Sequence, residues 1–166
     1  DDGQPVLFHQ DGAYWPLEPM TVVTIVLWLD DTCSENGCLR VIPGTHRLEL
    51  QETRERKDIP NVLDYTIDEG AYDESAAVDL ELQAGDISLH HPHVIHGSNA
   101  NTTNGWRRGL NIQYIPTATR ITELDWPCAF HLRGKTVPGV NQYQPFPKYV
   151  LGEHFAFRGC EAWLDG

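Results

Sequence analysis

Apolar positions recur at every second residue over short stretches of this chain, and turn-forming residues interrupt them repeatedly. A period of two belongs to a half-buried strand, because successive side chains point to opposite faces. Residues 6–9 (VLFH) read as the end of a strand that delivers its last side chains to a site, with Gly12 and Pro16 marking a turn region. Residues 21–29 (TVVTIVLWL) are rich in β-branched side chains and predict a buried strand. Residues 30–37 (DDTCSENG) form a loop ending in Asn-Gly, and residues 38–42 a short strand that Pro43-Gly44 stops. Residues 77–82 (AVDLEL) alternate, Gly85-Asp86 turns the chain into residues 87–91, and residues 94–96 follow Pro92. Residues 107–115 (RRGLNIQYI) alternate most cleanly. Leu110, Ile112 and Tyr114 fall on one face, and Arg107, Gly109, Asn111 and Gln113 on the other.

Two segments break the pattern. Residues 47–77 are polar, mixed in charge and contain Pro60, which predicts an insertion, partly helical or irregular, suited to a lid. Residues 117–166 are punctuated by prolines and read as an extended tail rather than a second domain. Many short strands with little helix predict one all-β domain over residues 1–166, a sandwich or barrel. Jelly rolls and cupins are the members of that class that carry a metal inside.

Composition narrows the partners. The net charge of −12 argues against nucleic acid or an anionic membrane and is compatible with a cationic or zwitterionic substrate, although acidity also simply aids solubility. No apolar run approaches the roughly 20 residues of a membrane span. The chain opens Asp1-Asp2-Gly3, with no basic segment and apolar stretch of a secretory leader, so a cytoplasmic location is expected. Cys33, Cys38, Cys128 and Cys160 form no C-x-x-C pair and read as reduced thiols, with Cys33 and Cys38 spaced to close a small loop.

The chemistry lies in His9-Gln10-Asp11, His96 and Arg107. Two imidazoles and one carboxylate are the ligand set of a mononuclear non-haem iron(II) site with open positions. In a strand, His9 and Asp11 share a face, while His96 arrives from a distant strand. Three ligands on one side of the metal leave the other side for a bidentate acid and O2. Arg107, following the last ligand by about one strand and turn, is suited to hold the carboxylate of an organic co-substrate. Alone, His-x-Asp is a weak signal, because such a tripeptide also occurs on surface strands.

The wider sequence strengthens it. His9-Gln10-Asp11-Gly12-Ala13-Tyr14-Trp15, Asn36 through His46 (NGCLRVIPGTH), Gly85-Asp86, His91-Pro92-His93-Val94-Ile95-His96-Gly97-Ser98 and Arg107 occur in order over roughly residues 7–116. Together these blocks resemble the phytanoyl-CoA dioxygenase family. The resemblance implies a double-stranded β-helix that uses Fe(II), 2-oxoglutarate and O2, with His9, Asp11 and His96 as both metal ligands and catalytic residues. It implies that Arg107 and Ser98 hold the distal carboxylate of 2-oxoglutarate. It further implies hydroxylation of a small organic molecule, with succinate and CO2 as co-products. Related halogenases replace the carboxylate ligand with a small residue, and Asp11 is present here. Family members carry a long portion before the His-x-Asp strand, whereas eight residues precede His9, so an N-terminal segment is expected to be missing from this sequence.

Other residues carry weaker readings. Tyr14, Trp15 and Asn111 are candidates for lining a substrate pocket, with core packing the alternative; Gln113 shares the Asn111 reading. His90, His91 and His93 are assigned structural roles, His46 a loop-fixing one, and Arg108 and Arg40 surface positions. Two other whole-protein readings stay open: a cupin-like metal protein of a non-oxidative class, and an inactive fragment serving as a binding domain. Arg107 and Ser98 speak against the former, since a non-oxidative metal site has no evident use for a carboxylate clamp.

Overall fold

The computed structural model describes residues 3–123 and 129–146. Strands β1 (Val6–His9), β2 (Leu17–Glu18), β3 (Val23–Trp28), β4 (Leu39–Val41), β5 (Thr53–Glu55), β6 (Tyr65–Ile67), β7 (Val78–Leu80), β8 (Ile87–His90), β9 (His96–Ser98), β10 (Gly109–Tyr114) and β11 (Arg120–Ile121) follow one another along the chain. Short 3-10 turns occur between them, and the described residues contain no α-helix. The expected all-β class is therefore what the chain adopts.

Strands β1, β9, β4 and β7 form one antiparallel sheet in that order, and β10, β3 and β8 a second. In chain order the path moves from the larger sheet (β1) to the smaller (β3), back (β4, β7), across again (β8), back (β9) and across once more (β10). This repeated exchange between two facing sheets is how a jelly roll brings distant segments together. Two strand pairs, β2 with β11 and β5 with β6, lie outside the two sheets.

Strand β3 shows how the pattern becomes a layer. Thr24, Val26 and Trp28 are buried, while Val23, Ile25 and Leu27 are only half covered. The expectation of a strand buried on both faces is thus met on one face. The register places Ile87 and Leu89 of β8 and Leu110 of β10 beside Leu27 and Ile25, and all three are more than half or about half exposed, at 55%, 58% and 50%. The outer side of the smaller sheet is therefore apolar and uncovered among the described residues. Its inner side carries Thr24, Val26 and Trp28 with Ser88, His90, Gly109, Asn111 and Gln113. Strand β10 begins at Gly109, later than the sequence predicts, so Arg107 stands on the approach to the strand. Arg108 is on the surface as expected: its guanidinium forks onto Asp30 (2.9 and 2.7 Å), and its backbone N–H donates to the same carboxylate.

Phe8, Ile42, Ile67 and Ile95 form a buried core cluster, with Ala71, Tyr72 and Ala77 packed against it. The presence of Ile67 changes the reading of residues 47–77. That segment folds back as the β5–β6 hairpin and packs β6 on β1, where the Thr66 hydroxyl donates to the Phe8 carbonyl at 3.1 Å. It supplies core as well as surface, which its polar composition concealed. Loop fixing near His46 falls instead to Thr45, whose hydroxyl donates to the Ile42 carbonyl (2.7 Å) and accepts the Ile95 N–H (2.9 Å). Arg40 is more than a surface charge: it lies over the Phe8 ring and bonds Asp79, Glu74 and Asn99. Cys33 and Cys38 are free thiols, and the small loop between them closes through the Cys38 N–H and the Cys33 carbonyl (3.0 Å). Cys128, Cys160 and the end of the tail from residue 147 lie outside the described residues.

Truncating Ile67, which has no exposed surface, tests whether residues 47–77 belong to the folding unit. We expect Ile67→Ala to cost about 2–5 kcal/mol in urea unfolding, the range for emptying a core position. A loss below about 0.5 kcal/mol, the range of surface substitutions, would assign the segment to a dispensable loop.

Candidate metal centre

The centre is built where β1 lies beside β9. At the start of β1, Val6 stands across from Ser98, but at its end His9 stands across from His96. The register has slipped by one residue between these pairs; without the slip Phe8 would face His96. A bulge of this kind re-aims the side chains that follow it. Here it turns His9 toward His96, with their ring centroids 4.2 Å apart, while Phe8 remains in the core cluster. The slip requires a glycine opposite. A Cβ on Gly97 would sit 2.7 Å from the Val6 carbonyl oxygen and 3.2 Å from the Phe8 nitrogen, closer than backbone tolerates.

Asp11 is not a strand residue, as the sequence reading had it. Strand β1 ends at His9, Gln10 is extended, and Asp11 opens a 3-10 turn. That turn is fastened to the segment ahead of His96. The Gly12 N–H donates to the Pro92 carbonyl (3.0 Å) and the Gln10 amide to the His93 carbonyl (2.9 Å), while the Gln10 side-chain oxygen accepts the Gln51 N–H (2.7 Å). Gln10 is almost fully buried, so these bonds satisfy its amide inside the fold.

Asp11 Oδ1 lies 3.4 Å from His9 Nε2 and 3.5 Å from His96 Nε2, and one donor atom from each residue falls within 4.8 Å of the others. Both imidazoles are oriented by the nitrogen that faces away. His9 Nδ1 donates to the Leu7 carbonyl and His96 Nδ1 to the Val94 carbonyl, each at 2.8 Å. A ring that gives its Nδ1 hydrogen to the backbone keeps a lone pair on Nε2, and that is the tautomer a metal needs. Burial pushes His96 down to about 4, helped by the neighbouring His9, so it is neutral at pH 7. Burial alone would push the Asp11 carboxyl up, but hydrogen bonds with His9 and His90 and attraction to His96 and His9 hold it well below the usual carboxylate range. A neutral His96 and an ionised Asp11 are the protonation states in which these two can bind a cation.

Ser98 and Arg107 lie nearby in the chain's path. Ser98 follows His96 on the same face of β9, and its hydroxyl is buried with no partner among the described residues. Arg107 is half-buried, its guanidinium 5.7 Å from the Trp28 ring, and it pairs with no acid among the described residues. An unsatisfied buried hydroxyl and an unmatched guanidinium are features that a carboxylate ligand complements.

Residues 1–109 match the family model described as Phytanoyl-CoA dioxygenase (PhyH). The chain belongs to the phytanoyl-CoA dioxygenase family. Family membership places it among the iron- and 2-oxoglutarate-dependent oxygenases. The peroxisomal phytanoyl-CoA dioxygenase of Bos taurus is 28% identical over 160 residues, covering 91% of this chain and 45% of its own length. Among solved structures, the non-heme monooxygenase ThoJ in its apo form aligns with a TM-score of 0.70 at 28% identity, covering 89% of this chain and 53% of ThoJ. EvdO2 from Micromonospora carbonacea var. aurantiaca, complexed with 2-oxoglutarate, aligns with a TM-score of 0.57 at 27% identity over 68% of this chain and 45% of EvdO2. The chain thus spans about half the length of the relatives it matches, and within that span it has the double-stranded β-helix of the oxygenase family.

The three candidate metal ligands are therefore gathered here, and the peripheral candidates divide. Tyr14 stands beside the centre, its ring edge-on to His9 at 6.0 Å and partly exposed. Trp15 is half-buried and follows the turn without a polar side-chain contact among the described residues. Asn111 lies on the inner side of the smaller sheet but is exposed and accepts a hydrogen bond from Gln113 (3.0 Å), with no contact to the three ligands. Two residues outside the predicted site touch Asp11 directly: Thr24, to which the sequence reading gave no role, and His90, to which it gave a structural one. The Thr24 hydroxyl donates to Oδ2 at 3.3 Å, and His90 Nε2 lies 3.1 Å from the same oxygen. What the sequence could not show was the pairing of Thr24 with His90 across β3 and β8.

Gly97→Ala tests the slip. Overpacking against the β1 backbone is expected to cost about 1–3 kcal/mol, and it should weaken Co(II) binding in a visible titration by moving His9 away from His96. Metal loading itself should raise the melting temperature. Co(II) at 100 times its Kd stabilises by about 2.7 kcal/mol, and this gain should vanish with a chelator and in Asp11→Ala.

Proposed function

We propose that this chain is the catalytic part of an Fe(II)- and 2-oxoglutarate-dependent dioxygenase that hydroxylates a small organic molecule, releasing succinate and CO2. The observation that carries the proposal is the arrangement of His9 Nε2, His96 Nε2 and Asp11 Oδ1 around one point, with both Nδ1 hydrogens committed to backbone carbonyls. Three ligands on one side would leave the remaining iron positions open. Bound iron would supply the oxidative step on O2 and 2-oxoglutarate.

The chain's own residues supply position and charge. Arg107, unmatched and partly desolvated against Trp28, offers a planar fork for the distal carboxylate of 2-oxoglutarate. The buried Ser98 hydroxyl offers a hydrogen to the same group. Asp11 fills the third ligand position, which supports transfer of oxygen over transfer of a halide. Tyr14, at the exposed edge of the centre, is placed to meet a substrate.

Mixing the protein anaerobically with Fe(II) and 2-oxoglutarate should give a weak visible charge-transfer band. Asp11→Ala should abolish it. Arg107→Ala should raise the 2-oxoglutarate concentration needed for half-saturation about 10–100-fold, the equivalent of a lost charged hydrogen bond. A folded protein that binds Fe(II) but shows no band at any 2-oxoglutarate concentration would falsify the co-substrate assignment. Succinate release across a panel of small molecules, followed by mass analysis for a gain of one oxygen, tests hydroxylation.

A further inference from the structure

We infer that His90 is a positioning residue for the metal centre: it holds one oxygen of the Asp11 carboxylate so that only the other faces the metal. The inference rests on the iron-centre reading of His9, Asp11 and His96 and adds a fourth side chain to it.

The two oxygens of Asp11 have different surroundings. Oδ1 is the atom that faces His9 Nε2 and His96 Nε2, at 3.4 and 3.5 Å. Oδ2 turns the other way, to His90 Nε2 at 3.1 Å and the Thr24 hydroxyl at 3.3 Å. An ionised carboxylate only accepts, so His90 Nε2 must carry the hydrogen. A nitrogen that carries this hydrogen has no lone pair for a metal. His90 also stands outside the group whose donor atoms lie within 4.8 Å of one another. It therefore acts through Asp11 and not as a fourth ligand.

Packing alone does not explain the imidazole. The His90 side chain is 7% exposed, and its Nδ1 is buried with no hydrogen-bond partner among the described residues. Among the described residues its only polar attachment is the ligand carboxylate. A phenylalanine would fill the space beside the His96 ring, whose centroid is 4.7 Å away, without leaving a buried nitrogen unsatisfied, so the position carries a cost that packing does not repay. What the imidazole gains for the centre is control of a rotation. With Oδ2 pinned, Asp11 binds through one oxygen and leaves a coordination position free for the co-substrate. Released, the carboxylate can turn and bind through both.

The test compares wild type with His90→Phe and His90→Gln, whose amide N–H can take the place of Nε2–H. Co(II) serves as the probe, read by titration and by its visible absorption, with thermal melting of the metal-free proteins alongside. We expect His90→Phe to lose about 10–100-fold in Co(II) affinity, as removal of an outer partner of a ligand does, and to change the Co(II) absorption envelope. His90→Gln should recover most of both, and the metal-free melting temperatures should not follow this order. Unchanged affinity and absorption in His90→Phe overturn the inference while leaving the iron-centre reading in place. Equal losses in both variants, tracking lowered metal-free melting, also overturn it, because they reveal a structural residue. If wild type binds no Co(II), the iron-centre reading itself fails.

Discussion

Everything at this site depends on where the Asp11 carboxylate is held. It is the point at which the two sheets meet. Asp11 follows β1 of the larger sheet, and its Oδ2 is gripped by Thr24 of β3 and His90 of β8 in the smaller one. Its Oδ1 faces the imidazoles of β1 and β9. A buried carboxylate is costly unless its oxygens are satisfied; Oδ2 has its two partners here, and Oδ1 faces the lone-pair nitrogens of the imidazoles, an arrangement that a cation between them would satisfy. The same contacts that make the charge tolerable tie residues of the two sheets to one side chain.

The ligand loop has its own supports. Gln10 and Gly12 bind the carbonyls of His93 and Pro92, so the turn carrying Asp11 and the stretch leading to His96 move as one. The site is thereby fixed by hydrogen bonds that do not involve the ligand atoms. On the next layer out, the fork of Arg108 on Asp30 anchors the chain just before β10, and the adjacent Arg107 lies over Trp28.

Much of this was legible in the sequence. The alternation in residues 109–114 named a strand and its faces, because period two maps directly onto inner and outer sides, and the β-branched run over residues 23–28 named a second strand without its faces. His9, Asp11 and His96 were identifiable as candidate ligands from residue type and order, and the fold brings them together. What escaped were features that depend on pairing between distant segments. His90 and Thr24 look unremarkable singly and gain meaning only when β8 and β3 lie side by side. Ile67 was hidden by its polar neighbours in residues 47–77, since a single core residue leaves no periodic trace. The strand assignment of Asp11 failed because the turn after His9 carries no strong breaker until Gly12.

The slip in β1 has a further consequence. In a regular ladder, side-chain direction is a matter of parity, and parity is counted along the whole strand. Here the count changes within four residues, so Phe8 serves the core and the very next residue serves the metal. The information that builds this candidate metal centre thus resides partly in spacing and not only in letters. Evolution can exchange Val6 or Leu7 for other apolar residues at little expense. It cannot add or remove a residue there without exchanging the destinations of Phe8 and His9, which puts the ring in the metal's place and the imidazole in the core.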